Sequence, residues 1–109
     1  MSQETIDKIS RQLQDANITE TQKKELQTLL ATLKDEIKVL EKTNTEDAKS
    51  IVGFTEISAH EATKTEKNPD LMNVALQGMN YSVKEFEVSH PELVRIVNSI
   101  SIMLSNIGI

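Results

Sequence analysis

Residues 26–40 read LQTLLATLKDEIKVL. Leu26, Leu30, Leu33, Ile37 and Leu40 recur at alternating steps of four and three, and mostly polar side chains fill the positions between. A helix turns once every 3.6 residues, so this spacing gathers the apolar side chains on one face. A half-buried strand would need alternation at every second residue instead. Leu29 and Val39 broaden the stripe. The pattern predicts a helix over about 20–42, and its length is too short to separate a coiled-coil strand from an ordinary bundle helix.

The same period continues on both sides. Upstream, Ile6, Ile9, Leu13 and Ala16 predict a helix over about 3–16. Thr19 and Gln22 then have the spacing of a capping box, in which each side chain satisfies the other residue's backbone amide. Downstream, Thr43, Asn44 and Thr45 are all competent helix caps. They open a segment, about 46–66, with two thin stripes: Ala48, Val52, Ala59 and Ala62, and Ile51, Phe54 and Ile57. Gly53 lies inside it and costs about 1 kcal/mol relative to alanine in a helix. Asn68, Pro69 and Asp70 form a strong start signal of cap, first-turn proline and acid at the positive helix end. The helix that follows, about 69–88, carries Met72, Leu76, Met79, Val83 and Phe86.

A fifth helix is expected over about 90–107, with Leu93, Val97, Ile100, Leu104 and Ile107 on one seam. Ser89 and Glu92 have capping-box spacing, and Val88 and Leu93 are placed for a hydrophobic staple. Gly108 is a natural left-handed terminator that would let Ile109 fold back onto Leu104. Short connections make successive helices antiparallel neighbours. The expected fold is all-α: one domain, an up-and-down bundle of four to five antiparallel helices over about 3–16, 20–42, 46–66, 69–88 and 90–107.

Composition narrows the function. The 109 residues carry a net charge of −5, and lysines alternate with acids, as in KDEIKVLEK over 34–42. Nucleic-acid binding needs clustered Lys and Arg to displace counterions, so no nucleic-acid partner is expected. No cysteine is present, which removes disulfides, thiolate metal sites and thiol nucleophiles. The first residues, MSQETIDKIS, hold no apolar export segment. Only Phe54, Tyr81 and Phe86 are aromatic, so the core must be aliphatic.

The last helix has a second apolar set, Val94, Ile96, Ile102 and Met103, which makes it apolar over more than half its circumference. Such a helix is buried on several sides. It is then the centre of the monomer, or a centre with one side covered by another copy, or a membrane-associated helix. The last is disfavoured, because the stretch falls short of roughly 20 residues and Arg95, Asn98 and several serines interrupt it.

Chemistry-bearing motifs are incomplete. HEATK over 60–64 begins like the zinc-protease motif, but Lys64 stands where the second imidazole belongs. EVSH over 87–90 matches the Glu-x-x-His unit of di-iron bundles, which need two such units and two further carboxylates. His60 lacks a glutamate three residues before it. The metal candidates are therefore only His60, Glu87 and His90, no cofactor is expected, and no nucleophile, base and oxyanion set indicates an enzyme.

The segments KNPDL, VKEFEVSHPELV and LSNIGI, with Phe86, Glu87, Ser89, His90, Pro91, Ser105, Asn106, Gly108 and Ile109, resemble a family of small bacterial helical proteins, a domain of unknown function. The resemblance covers about the last two fifths of the chain, and segment 44–67 reads as a candidate addition relative to shorter members. It implies a bacterial, cytoplasmic protein and carries no activity. The functional expectation is a non-enzymatic interaction or self-assembly protein, a homo-oligomer or bound to a protein partner. Its surface would be the Leu26–Leu30–Leu33–Ile37–Leu40 stripe or the second face of the last helix, Val94, Ile96, Ile102 and Met103. A small-molecule or metal-binding module and a peripheral membrane protein are the alternatives.

Overall fold

The computed structural model describes residues 2–109, and among them every regular element is helical. The order is α1 (Ser2–Asp15), α2 (Glu20–Leu40), α3 (Thr45–Thr63), α4 (Pro69–Val83), a short 3-10 turn (Lys84–Phe86) and α5 (Pro91–Gly108). The all-α bundle read from the periodicity is the observed fold.

Two starts form as their sequences dictate. The Gln22 amide donates to Thr19 Oγ1 at 3.1 Å and the Thr19 amide donates to Gln22 Oε1 at 3.0 Å, the reciprocal pair of a capping box. At α4, Asn68 Oδ1 accepts from the Leu71 amide at 3.1 Å, with Pro69 in the first turn. α3 begins after Asn44, whose side chain makes no cap bond.

The start of α5 departs from the expectation. Its cap residue is His90, with φ −137° and ψ 65°, and no side chain caps it. For Ser89 to cap, His90 would have to be helical. A residue before proline avoids the helical region, because the proline ring crowds its backbone. The cap therefore moves one residue on, and the Ser89–Glu92 box does not form. Val88 is then out of register for the staple with Leu93 and stands 95% exposed. Glu92 instead pairs with Arg95, and this hydrogen bond holds its carboxyl below the usual range.

Two ends differ as well. α4 stops at Val83, and the chain tightens into the 3-10 turn, which carries Phe86 inward to a buried position. At the C-terminus Gly108 stays helical, no described residue has positive φ, and Ile109 is exposed rather than folded onto Leu104. Close approach accounts for this glycine: an added Cβ would lie 2.2 Å from Met72 Sδ and 3.3 Å from Ala62 Cα.

The helices pack as a four-membered ring plus one. α1 lies against α2 and α3, α5 lies against α2 and α3, and α4 fills the outer groove between α3 and α5. Consecutive helices are thus neighbours except α2 and α3, which barely touch because α5 occupies the place beside α2. The core is aliphatic, with Ile6, Ile9 and Leu13 meeting Leu26, Leu30, Leu33, Ile37 and Leu40, and α5 adding Leu93, Ile96, Val97, Ile100 and Leu104. Burying each such side chain contributes roughly 1.5–3 kcal/mol. Polar bonds tie the rim: Gln27 Nε2 donates to Ser10 O at 2.8 Å, and Lys34 Nζ donates to Asp7 Oδ1 at 2.8 Å.

Candidate functional site

The five-residue stripe of α2 is wholly buried, so it is the inner wall of the bundle and offers no groove to a partner. The second face of α5 is also largely internal. Ile96 is 2% exposed and belongs to the core, which corrects its place among the surface candidates. Val94 and Met103 are half-buried against the same core, and of the four only Ile102, 63% exposed, faces water. The physical reason is position: α5 is enclosed by α2, α3 and α4, so its apolar sides are consumed within the chain. No described helix is long and apolar enough to cross a membrane.

The metal candidates are not gathered. His60 lies two residues before Ala62, which meets Gly108 at the end of α5. His90 sits at the start of that same helix. A helix of this length rises about 25 Å, so the two imidazoles sit at opposite ends of the bundle. Glu87 is exposed on the turn, and His90 packs edge-on against Phe86 with ring centroids 5.7 Å apart. His60 borders a shallow cleft of about 370 Å³ with Lys8, Gln12, Glu56 and Ile57, a mixed set with no convergent ligands. Among the described residues no group of three or more His, Asp and Glu side chains is placed to hold a metal ion.

What the structure does leave in water is an apolar face on α4. Leu71 is 50%, Val74 63% and Tyr81 74% exposed. With Gly78 they follow steps of three, four and three, so they form one line along the helix, turned away from the buried set Met72, Ala75, Leu76, Met79 and Val83. Gly78 is the dip in that line. An added Cβ there would lie 2.3 Å from Phe54 Cε1, because the Phe54 ring of α3 rests on the glycine backbone. Phe54 and Ile57, both exposed on α3, extend the face sideways. Polar side chains border its other flank: Asp70 and Gln77 are exposed, and Lys84 Nζ stands 5.5 Å from the Tyr81 ring centre.

This face was missed in the sequence because α4 had already supplied one complete four-three seam. The signal was the second seam in the same helix, Leu71–Val74–Gly78–Tyr81, interrupted by a glycine and so easily passed over.

Beneath the face, α3 carries a small-residue side. Thr55 and Ser58 are fully buried with Ala59 and Ala62, and Thr55 Oγ1 donates back to Ile51 O at 2.8 Å. Glu61 is buried, and its Oε1 lies 2.6 Å from Lys64 Nζ, an ion-pair contact set off the direction of a hydrogen bond.

A family model for a domain of unknown function, DUF4404, matches residues 26–109. The chain belongs to that family. The DUF4404 match begins at Leu26, the first buried leucine of α2, and takes in α3, α4 and α5. It is wider than the C-terminal motifs suggested, and segment 44–67 lies inside it. No curated protein and no solved structure matches the chain. The α3–α4 face thus lies entirely within the part that defines the DUF4404 domain.

Proposed function

We propose that this DUF4404 protein is a non-enzymatic helical interaction protein of the bacterial cytoplasm, docking another protein chain through the α3–α4 face. One observation carries the reading: Leu71, Val74 and Tyr81 stand in water on a helix whose opposite side is fully packed. Exposed apolar area costs about 25 cal/mol per Å² until something covers it. Single exposed apolar residues are ordinary, whereas a contiguous patch with a polar rim marks an interaction surface. Here three large side chains are consecutive neighbours on one helix line, joined by Phe54 across Gly78 and rimmed by Asp70, Gln77 and Lys84. Tyr81 suits such a role, since its ring is apolar and its hydroxyl remains wet.

The test is a photo-reactive side chain placed at Val74 in the living source cell, with a second at Lys38 on the exposed side of α2 as control. A protein adduct at Val74 and none at Lys38 is expected. Equal labelling at both positions, or no protein adduct at Val74, would overturn the proposal.

A further inference from the structure

We propose that the occupant of the α3–α4 face is a second copy of the same chain, with the two α4 helices antiparallel about a two-fold axis beside Gln77. The inference rests on the reading of that face as an interaction surface and names its partner.

Symmetry and charge both favour this occupant. A two-fold antiparallel pairing brings residues together whose numbers sum to a constant. About Gln77 that constant is close to 154. Asp70 then faces the partner's Lys84, and Lys84 faces the partner's Asp70. Gln77 faces its own copy, and an amide can both donate to and accept from its twin. Val74 falls beside the partner's Tyr81. Leu71 falls toward the partner's Tyr81 as well, and Val74 reaches the dip at the partner's Gly78, where the Phe54 ring lines the floor. Large side chains on one helix thus meet the small residue on the other, as close helix packing requires.

The charged flank is suited to this pairing and to no parallel one. Asp70 and Lys84 stand at opposite ends of the line, both exposed, and Asp70 has no ion pair or hydrogen bond among the described residues. Lys84 is held over Tyr81, at the edge of the apolar line. Antiparallel copies form both opposite-charge pairs at once. Parallel copies would set Asp70 against Asp70 and Lys84 against Lys84. The two charges also cancel on the flank, although the whole chain carries −5. A copy therefore meets little like-charge repulsion at this surface.

The test uses the full chain in sedimentation equilibrium across a wide concentration range. The wild type should pass from monomer to dimer. Asp70→Lys and Lys84→Asp should each weaken dimerisation about tenfold, as two attractive pairs become repulsive. The double reversal should restore it. Circular dichroism checks that each variant is folded. Because the chain has no cysteine, Gln77→Cys supplies an independent reading: on mild oxidation it should give a disulfide-linked dimer, while Lys38→Cys should not. A chain that stays monomeric up to millimolar concentration overturns the inference. So does a dimer indifferent to both single reversals, or a double reversal no better than either single one. In the cellular experiment, Val74 adducts only to a foreign chain would overturn the self-partner and leave the interaction role standing. No adduct at all would remove both.

Discussion

α4 and α5 lie side by side, yet they spend their apolar residues in opposite ways. α5 is the more apolar helix and leaves little in water, chiefly Ile102 and the terminal Ile109. α4 is less apolar and leaves Leu71, Val74 and Tyr81 exposed. The difference is one of neighbours: α5 touches α2, α3 and α4, whereas among the described elements α4 touches only α3, α5 and the 3-10 turn that leads from it to α5. Exposure thus follows from where a helix sits in the ring, and apolar content alone is a poor guide to an interaction surface.

The largest expected effect sharpens that contrast. Leu104→Ala, in the fully buried seam of α5, should lower unfolding free energy by about 2–5 kcal/mol. Ile102→Ala, two residues earlier on the exposed side, should change it by no more than about 0.5 kcal/mol. Denaturant titration reads both, and equal losses would mean that α5 is enclosed all round.

Next come the helix starts. Thr19→Ala removes a formed capping box and should cost about 1 kcal/mol. Ser89→Ala removes a hydroxyl that caps nothing and should fall within about 0.5 kcal/mol of wild type. A large loss at Ser89 would return the cap of α5 to that residue.

Of comparable size, but opposite in sign, is the effect at Gly53. Beyond the backbone of its own turn nothing lies within 4 Å of an added Cβ there, so Gly53→Ala should stabilise by about 0.5–1 kcal/mol through helix propensity. Gly78→Ala gains the same propensity but must displace the Phe54 ring, so it should fall short of that gain. Equal stabilisation at both glycines would mean that Phe54 is not seated on α4.

The smallest effect concerns the surface pair at the start of α5. The Arg95 hydrogen bond lowers the Glu92 pKa. Its small contribution to stability is present at neutral pH and fades as pH falls through the Glu92 titration. Arg95→Ala should move that titration to higher pH, as read by side-chain carboxyl NMR, with the unfolding midpoint nearly unchanged. An unmoved titration would show the pair to be absent in solution.

Much of the fold was legible because the helix period and the capping chemistry agreed. The α2 stripe, the Thr19–Gln22 box and the Asn68–Pro69 start needed no tertiary information. Ser89 misled because two local rules competed there, a capping-box spacing and the constraint on a residue before proline, and the second won. Gly108 misled because its use is a close approach to Met72 and Ala62, which belong to helices distant in sequence. The candidate surface was hardest to read. Periodicity marks which residues share a side of a helix, while only packing decides which sides are covered. Ile96 and Val74 illustrate this: both belong to a second apolar set, and one is core while the other stands in water.

Val74 on the α4 line stands in water, whereas Ile96 of the second α5 set is core. The most direct test is thiol labelling of two single-cysteine variants of the cysteine-free chain, Val74→Cys and Ile96→Cys, over a series of protein concentrations. The thiol of Ile96→Cys should stay protected at every dilution. The thiol of Val74→Cys should label freely in dilute solution and become protected as concentration rises. Equal protection of both thiols at every dilution would place the α4 line in the core and contradict the account.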